Sequence, residues 1–135
     1  MSAEDNKAIM RRIYDVINTG DLAQADELIA ADVIEHSPLP GTGSGLEGFK
    51  QTITILHNAF PDLSFTVEDM VAEGDMVAAR VTMHGTHRGE FMGIPATGKQ
   101  VTMTGMDIAR FENGKGVEHW ANQDDLGMLQ QLGVI

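Results

Sequence analysis

The chain predicts an α+β fold with helices packed on one face of a curved, mainly antiparallel sheet, and two observations carry that prediction. Apolar residues recur at helical spacing as far as Phe60; from Leu63 onward the period falls to two and turn residues separate the runs. Helices first and strands afterwards, in 135 residues, point to one domain spanning 1–135 with its helices on a single side of the sheet.

The elements follow in order. Ile9, Ile13, Val16 and Ile17 mark a first helix, capped at Ser2 or Asp5 and ended by Asn18-Thr19-Gly20. Asp21 is placed to cap a second, with Leu22, Ala25, Leu28 and Ile29 on its apolar face, before a short extended stretch from Val33 to His36. Two prolines and three glycines between Ser37 and Gly45 predict a loop. Phe49, Ile53, Leu56 and Phe60 define a third helix, which Pro61 stops. Leu63, Phe65 and Val67 then alternate with polar residues, Gly74-Asp75 turns the chain, and Met76 to His84 forms a longer strand. The glycine-rich stretch Gly85–Gly98 reads as a loop over one end of the sheet. Val101–Phe111 and Val117–Asn122 make a final hairpin around Glu112-Asn113-Gly114-Lys115, followed by an amphipathic tail from Leu126 to Gly133.

Composition narrows the function. With 42% hydrophobic residues the chain can own a core. A formal charge of -11 argues against nucleic acid or an anionic membrane as partner and favours a neutral or hydrophobic ligand. The absence of cysteine removes disulfides, thiol nucleophiles and thiolate metal sites. The acidic N-terminus lacks the apolar stretch of a signal peptide and no run is long enough to span a membrane, so a cytoplasmic protein is expected. Nine methionines against seven aromatics suggest a core and cavity lined with adaptable side chains.

The final hairpin decides where ionisable groups meet. A two-residue turn at Asn113-Gly114 would set Asp107 opposite Trp120. A three-residue loop with Gly114 in the left-handed region would instead set Asp107 opposite His119 and Phe111 opposite Lys115. The second register is preferred because it makes Arg110 and Glu118 diagonal neighbours. It places Asp107, Ala109, Val117, His119 and Ala121 on one face and Met106, Ile108, Arg110, Glu118 and Trp120 on the other, with Trp120 packed under the helices or in a dimer contact.

Ordered along nearly the whole chain are Asn18-Thr19-Gly20-Asp21, Gly85-Thr86-His87-Arg88-Gly89-Glu90-Phe91, Gly93-Ile94-Pro95-Ala96-Thr97-Gly98-Lys99, Gly114-Lys115 with Glu118-His119-Trp120, and Leu129-Gln130-Gln131-Leu132-Gly133. Together they resemble the SnoaL-like polyketide cyclases of the nuclear transport factor 2-like superfamily. The resemblance implies a cone-shaped barrel packed against three N-terminal helices, a hydrophobic cavity, frequent homodimers and no cofactor. It also implies that an aspartate on the final strand acts as general base in an intramolecular aldol ring closure. The matching position here is Ala121, which cannot take a proton. A second polar cavity position of that family, three residues before Arg110, is Asp107.

The candidate site residues follow. Asp107 is the expected base, His119 its partner or a donor to a developing enolate oxygen, and Asp124 a secondary group at the cavity mouth, with a helix cap as its plainer role. His36 is placed at the rim; His87, Phe91 and Met92 on a loop over the mouth; and Met103 on the cavity wall. Arg80 could hold an anionic group or simply pair with a surface carboxylate. His84 and His87 point to opposite faces, so no metal site is expected. The leading expectation is a cofactor-independent acid/base enzyme of the polyketide cyclase type acting on a small hydrophobic carbonyl compound. The alternatives are a hydrophobic-ligand-binding protein without chemistry, for which Ala121 speaks, and an epoxide hydrolase using paired carboxylates bridged by an arginine.

Overall fold

The structure, a computed structural model, describes residues 1–135. Helix α1, Ala3–Thr19, begins at a reciprocal cap in which Ser2 and Asp5 bond each other's backbone N–H, and it ends at Gly20 in the left-handed conformation, φ 75°. Its Asn18 side chain bonds both the N–H and the C=O of Phe65, at 2.7 and 3.0 Å, which fixes the helix to the sheet. The expected second helix is shorter than the pattern suggested. A 3-10 turn, Leu22–Gln24, leads into a single helical turn α2, Ala25–Leu28, and Ile29 already belongs to strand β1, Ile29–Glu35. Asp21 makes no cap bond to the backbone there; it bonds the Gln24 side chain.

Helix α3, Gly45–Ala59, carries Phe49, Ile53 and Leu56 toward the interior and stops before Pro61. Gly48 in its first turn allows the Gly43 carbonyl to lie directly on the helix, where a side chain would collide. That contact folds the 36–44 loop down beside the cavity.

Four long strands follow: β2 Ser64–Glu73, β3 Met76–Thr86, β4 Gln100–Glu112 and β5 Lys115–Gln123. Helix α4, Asp125–Leu132, closes the chain and packs on β4. The sheet order is β1-β5-β4-β3-β2, antiparallel throughout except for the parallel pair β1 and β5. The sheet is thus a mixed, unclosed cone wall, since β1 and β2 remain edges.

Val77, Ala79, Val81 and Met83 of β3, with Val101, Met103, Asp107, Ala109 and Phe111 of β4, are buried on the inner face, toward the helices. The outer face exposes Val71, Met106 and Ile108. Two apolar clusters form the core. One gathers Met10, Ile13, Tyr14 and Leu28 with Val77, Val81 and Phe111; the other gathers Phe60, Leu63, Met83, Phe91, Val101, Met128 and Leu132.

The β4–β5 hairpin departs from the expected register in an instructive way. Asn113 and Gly114, at φ 51° and 80°, form a two-residue turn that pairs Glu112 with Lys115 and Phe111 with Gly116. Arg110 then pairs with Glu118, so Val117 is the extra residue and the bulge lies within β5, not in the loop. Asp107 is consequently opposite Ala121, and His119 opposite Ala109. From Glu118 onward the slip from the expected register is two residues, which keeps those side chains on their expected faces; nearer the turn it is one residue, so Lys115 leaves the face of Phe111, and Val117 is unpaired. Arg110 and Glu118 become direct partners with a 3.0 Å bond. Trp120 is corrected more strongly: it lies on the outer face, away from the helices, stacked on His36 with ring centroids 4.9 Å apart and planes 5° from parallel.

Candidate active site

A cavity of about 630 Å³ opens between the inner face of the sheet and helices α1 and α3. Its wall draws on both apolar clusters, through Met10, Ile13, Val81, Met83 and Met103, and on Ile53 of α3, and its mouth is framed by the 38–43 loop, Phe91, Met92 and Leu129. No lysine or arginine lines it.

Four side chains from four elements make a continuous chain of hydrogen bonds in this apolar setting. The Tyr14 hydroxyl, from α1, donates to Asp107 Oδ1 at 2.8 Å. Asp107 Oδ2, from β4, meets His119 Nε2 at 2.8 Å. The other edge of the ring, Nδ1, meets both carboxylate oxygens of Glu35 at 2.7 and 2.9 Å. Local structure explains each placement. Tyr14 follows Met10 by one helical turn and therefore points at the sheet. Asp107 and His119 share the inner face of adjacent strands. Glu35 is the parallel-strand partner of His119 on the sheet edge.

Burial and charge set the protonation states. Burial, then the adjacent Asp107 charge, pushes the Tyr14 hydroxyl up, so it remains a donor throughout the useful pH range. Burial works to lower His119, but the bonds and charges of Asp107 and Glu35 prevail and push it up to about 9. Glu35 is raised by burial and lowered by the His119 bond and charge, the Ser37 N–H and the His36 charge, with a net shift below the ordinary carboxylate value. The arrangement is therefore an imidazolium between two carboxylates, with Asp107 7% exposed. Such a site can take a proton from a bound molecule at Asp107 and hold the resulting charge distribution with a fixed cation.

Not every expected residue joins it. Phe91, Met92 and Met103 line the cavity as placed by the sequence. His36 does not: it bonds Glu118 at 2.7 Å on the outer face, because it follows β1 by one residue and points opposite to Glu35. Arg80 is also on the outer face, bonded to Asp69 at 2.8 Å through Nε. Asp124 caps α4, accepting from the Gly127 N–H at 2.9 Å, and does not reach the cavity. His87 is fully buried beneath the loop, tilted on Phe60 and accepting at Nδ1 from the Thr97 N–H, rather than lining the mouth. His84 stays on the exposed side, so the two histidines do not converge.

Tyr14 and Glu35 are absent from the expectations above, yet both left a signal. A lone tyrosine on the buried side of a helix needs a polar partner. Val33 and Glu35 share a face of β1, so an acid stands where alternation calls for an apolar residue.

This architecture is shared with known proteins. The family model described as SnoaL-like polyketide cyclase matches residues 7–132. The chain belongs to that family. It is 30% identical over 131 residues to the aklanonic acid methyl ester cyclase DnrD of Streptomyces peucetius, covering 93% of this chain and 88% of that protein. Among solved structures, TsrD from Streptomyces laurentii superposes with a TM-score of 0.91 at 31% identity, covering 100% of this chain and 99% of that one. IdmH from Streptomyces antibioticus gives 0.83 at 39% identity, over 95% and 98% of the two chains. On the final strand of this family member Ala121 lies directly across the strand pair from the Asp107 carboxylate. No helix of the chain is long and apolar enough to cross a membrane.

Proposed function

We propose that the protein closes a ring in a neutral, largely hydrophobic polyketide ester by an intramolecular aldol reaction, with Asp107 as base. The observation that carries this reading is a buried carboxylate inside an apolar cavity, held at both oxygens by Tyr14 and His119. The methyl ester named for the curated relative supports the substrate class, as does a cavity without lysine or arginine to receive a free carboxylate.

The step balances on the chain's own groups. Asp107 takes the proton from the carbon between two carbonyls, and the C–H electrons form an enolate. The enolate carbon attacks a ketone carbon in the same molecule, a C–C bond forms, and the ketone oxygen becomes an alkoxide. That alkoxide takes back the proton from Asp107. No electrons leave the substrate, so no cofactor is required. Ala121 fits the same reading: cross-strand pairs stand about 4.5–5.5 Å apart at Cβ, so a carboxylate at Asp107 serves nearly the same space, and alanine leaves room for it.

The test is Asp107→Asn with a β-keto ester polyketide methyl ester. Turnover should fall by about 10²–10⁴-fold with ligand binding nearly unchanged. Undiminished cyclisation by that variant would overturn the assignment.

One observation favours a second reading, epoxide hydrolysis. Asp107 and Glu35 are two carboxylates joined through a cation, His119 in the place where the sequence offered Arg80, and that arrangement can activate water. Diol formation from an epoxide, without cyclisation of a keto ester, would select it.

A further inference from the structure

Glu35 is held more firmly than an edge-strand carboxylate needs to be. The His36 N–H bonds the His119 carbonyl at 2.9 Å. Ser37 then clamps the end of β1 to β5: its Oγ donates to the Ala121 carbonyl at 2.9 Å and accepts from the Ala121 N–H at 3.1 Å. The Ser37 N–H also donates to Glu35 Oε2 at 3.0 Å. Backbone and side chain together thus press this carboxylate against the Nδ1 edge of His119. A neutral imidazole has one N–H and one lone pair, so it cannot donate to carboxylates on both sides; the two bridges together need two protons.

We propose that Glu35 is a positioning residue for the acid/base site, acting through His119: its grip fixes the ring as a doubly protonated cation aimed at Asp107. The inference rests on the aldol reading given above and adds the source of its charge compensation. When Asp107 takes the substrate's proton, negative charge passes to the enolate while Glu35 keeps its own. No lysine or arginine lines the cavity, so the imidazolium is the cation that offsets the developing charge. The groups facing the ring are Asp107 from β4, Tyr14 from α1 and Glu35 from β1, with the His36 charge beyond; α3 presents no titratable side chain to the cavity. Removing Glu35 therefore leaves Asp107 as the single anion bonded to the ring.

The experiment is a pair of titrations on the wild type, Glu35→Gln and Glu35→Asp: the His119 ring followed by NMR, and kcat against pH. In Glu35→Gln the ring should titrate about 1 to 3 pH units lower, the effect of one adjacent opposite charge. The high-pH limb of kcat should move down by the same amount, and the rate below that limb should fall by less than Asp107→Asn causes. Glu35→Asp, which keeps the charge, should return both part of the way. An unmoved ring titration overturns the inference, as does a kcat reduced by one factor at all pH values. Asp107→Asn reports separately: full turnover in that variant sinks the aldol reading even where the ring titration in Glu35→Gln has moved.

Discussion

The two faces of the β4–β5 hairpin carry nearly the same pair in different surroundings. On the outer face His36 meets Glu118 at 2.7 Å, and on the inner face His119 meets Glu35 at 2.7 Å. Outside, Glu118 is shared with Arg110, which also bonds Glu112, and the stacked Trp120 covers one side of His36. Inside, the ring has a second carboxylate on its far edge, and that carboxylate is bonded in turn by a buried tyrosine. A histidine–carboxylate contact alone is a surface ion pair of little consequence. Enclosure by apolar walls and a second anion turn it into a fixed cation beside a buried carboxylate.

The sharpest way to break this comparison is through packing. Met83, 2% exposed on the inner face, and Met106, 62% exposed on the outer face, come from adjacent strands. Met83→Ala should cost about 2–5 kcal/mol in urea denaturation, and Met106→Ala no more than about 0.5 kcal/mol. Equal costs would mean that the faces are not divided as described.

Tyr14→Phe sharpens the inner side. It removes the donor from one oxygen of a buried carboxylate, at a cost of about 1–3 kcal/mol in stability. A stability within error of wild type would show that Asp107 finds another donor there.

The same network sets a pH window. The folded His119 value is raised to about 9 from 6.5, so its contribution is complete below pH 6.5 and disappears as pH rises through about 9. Glu35 is shifted the other way, below 4.5, so its contribution is complete above pH 4.5 and disappears as pH falls through the lowered folded value. Thermal melts of the wild type should therefore lose stability on both sides of the interval between those ordinary values, and Glu35→Gln should flatten both flanks.

The smallest effect is expected outside. Arg80→Ala breaks an exposed pair with Asp69 and should change stability by no more than about 0.5 kcal/mol and leave KM unchanged. A raised KM would return Arg80 to the substrate site.

Much of this was legible in the sequence because it is local. The apolar period of α1 and α3, the alternation of β2 to β5 and the place of the last hairpin at 112–115, though not its turn type, each depend on residues near one another. The failures share a cause in contacts distant along the chain. Ile29 continues a helical pattern but is drawn into β1 by parallel pairing with Gly116 of β5. The hairpin bulge fell at Val117, where neither loop chemistry nor the Arg110 and Glu118 charges could locate it; parity alone kept Asp107 and His119 together. Glu35 reached the site through the same parallel pair, invisible to a local reading of its strand. His36 was misplaced by one residue of alternation, enough to put it on the opposite face.

The measurement that tests the central claim most directly is proton exchange at the substrate's acidic carbon in D2O, followed by NMR for wild type and Asp107→Asn. The account predicts rapid catalysed exchange in the wild type and a rate near the uncatalysed background in the variant, with the ligand still bound. Exchange at the wild-type rate in Asp107→Asn would contradict it and move the base to another residue of the cavity.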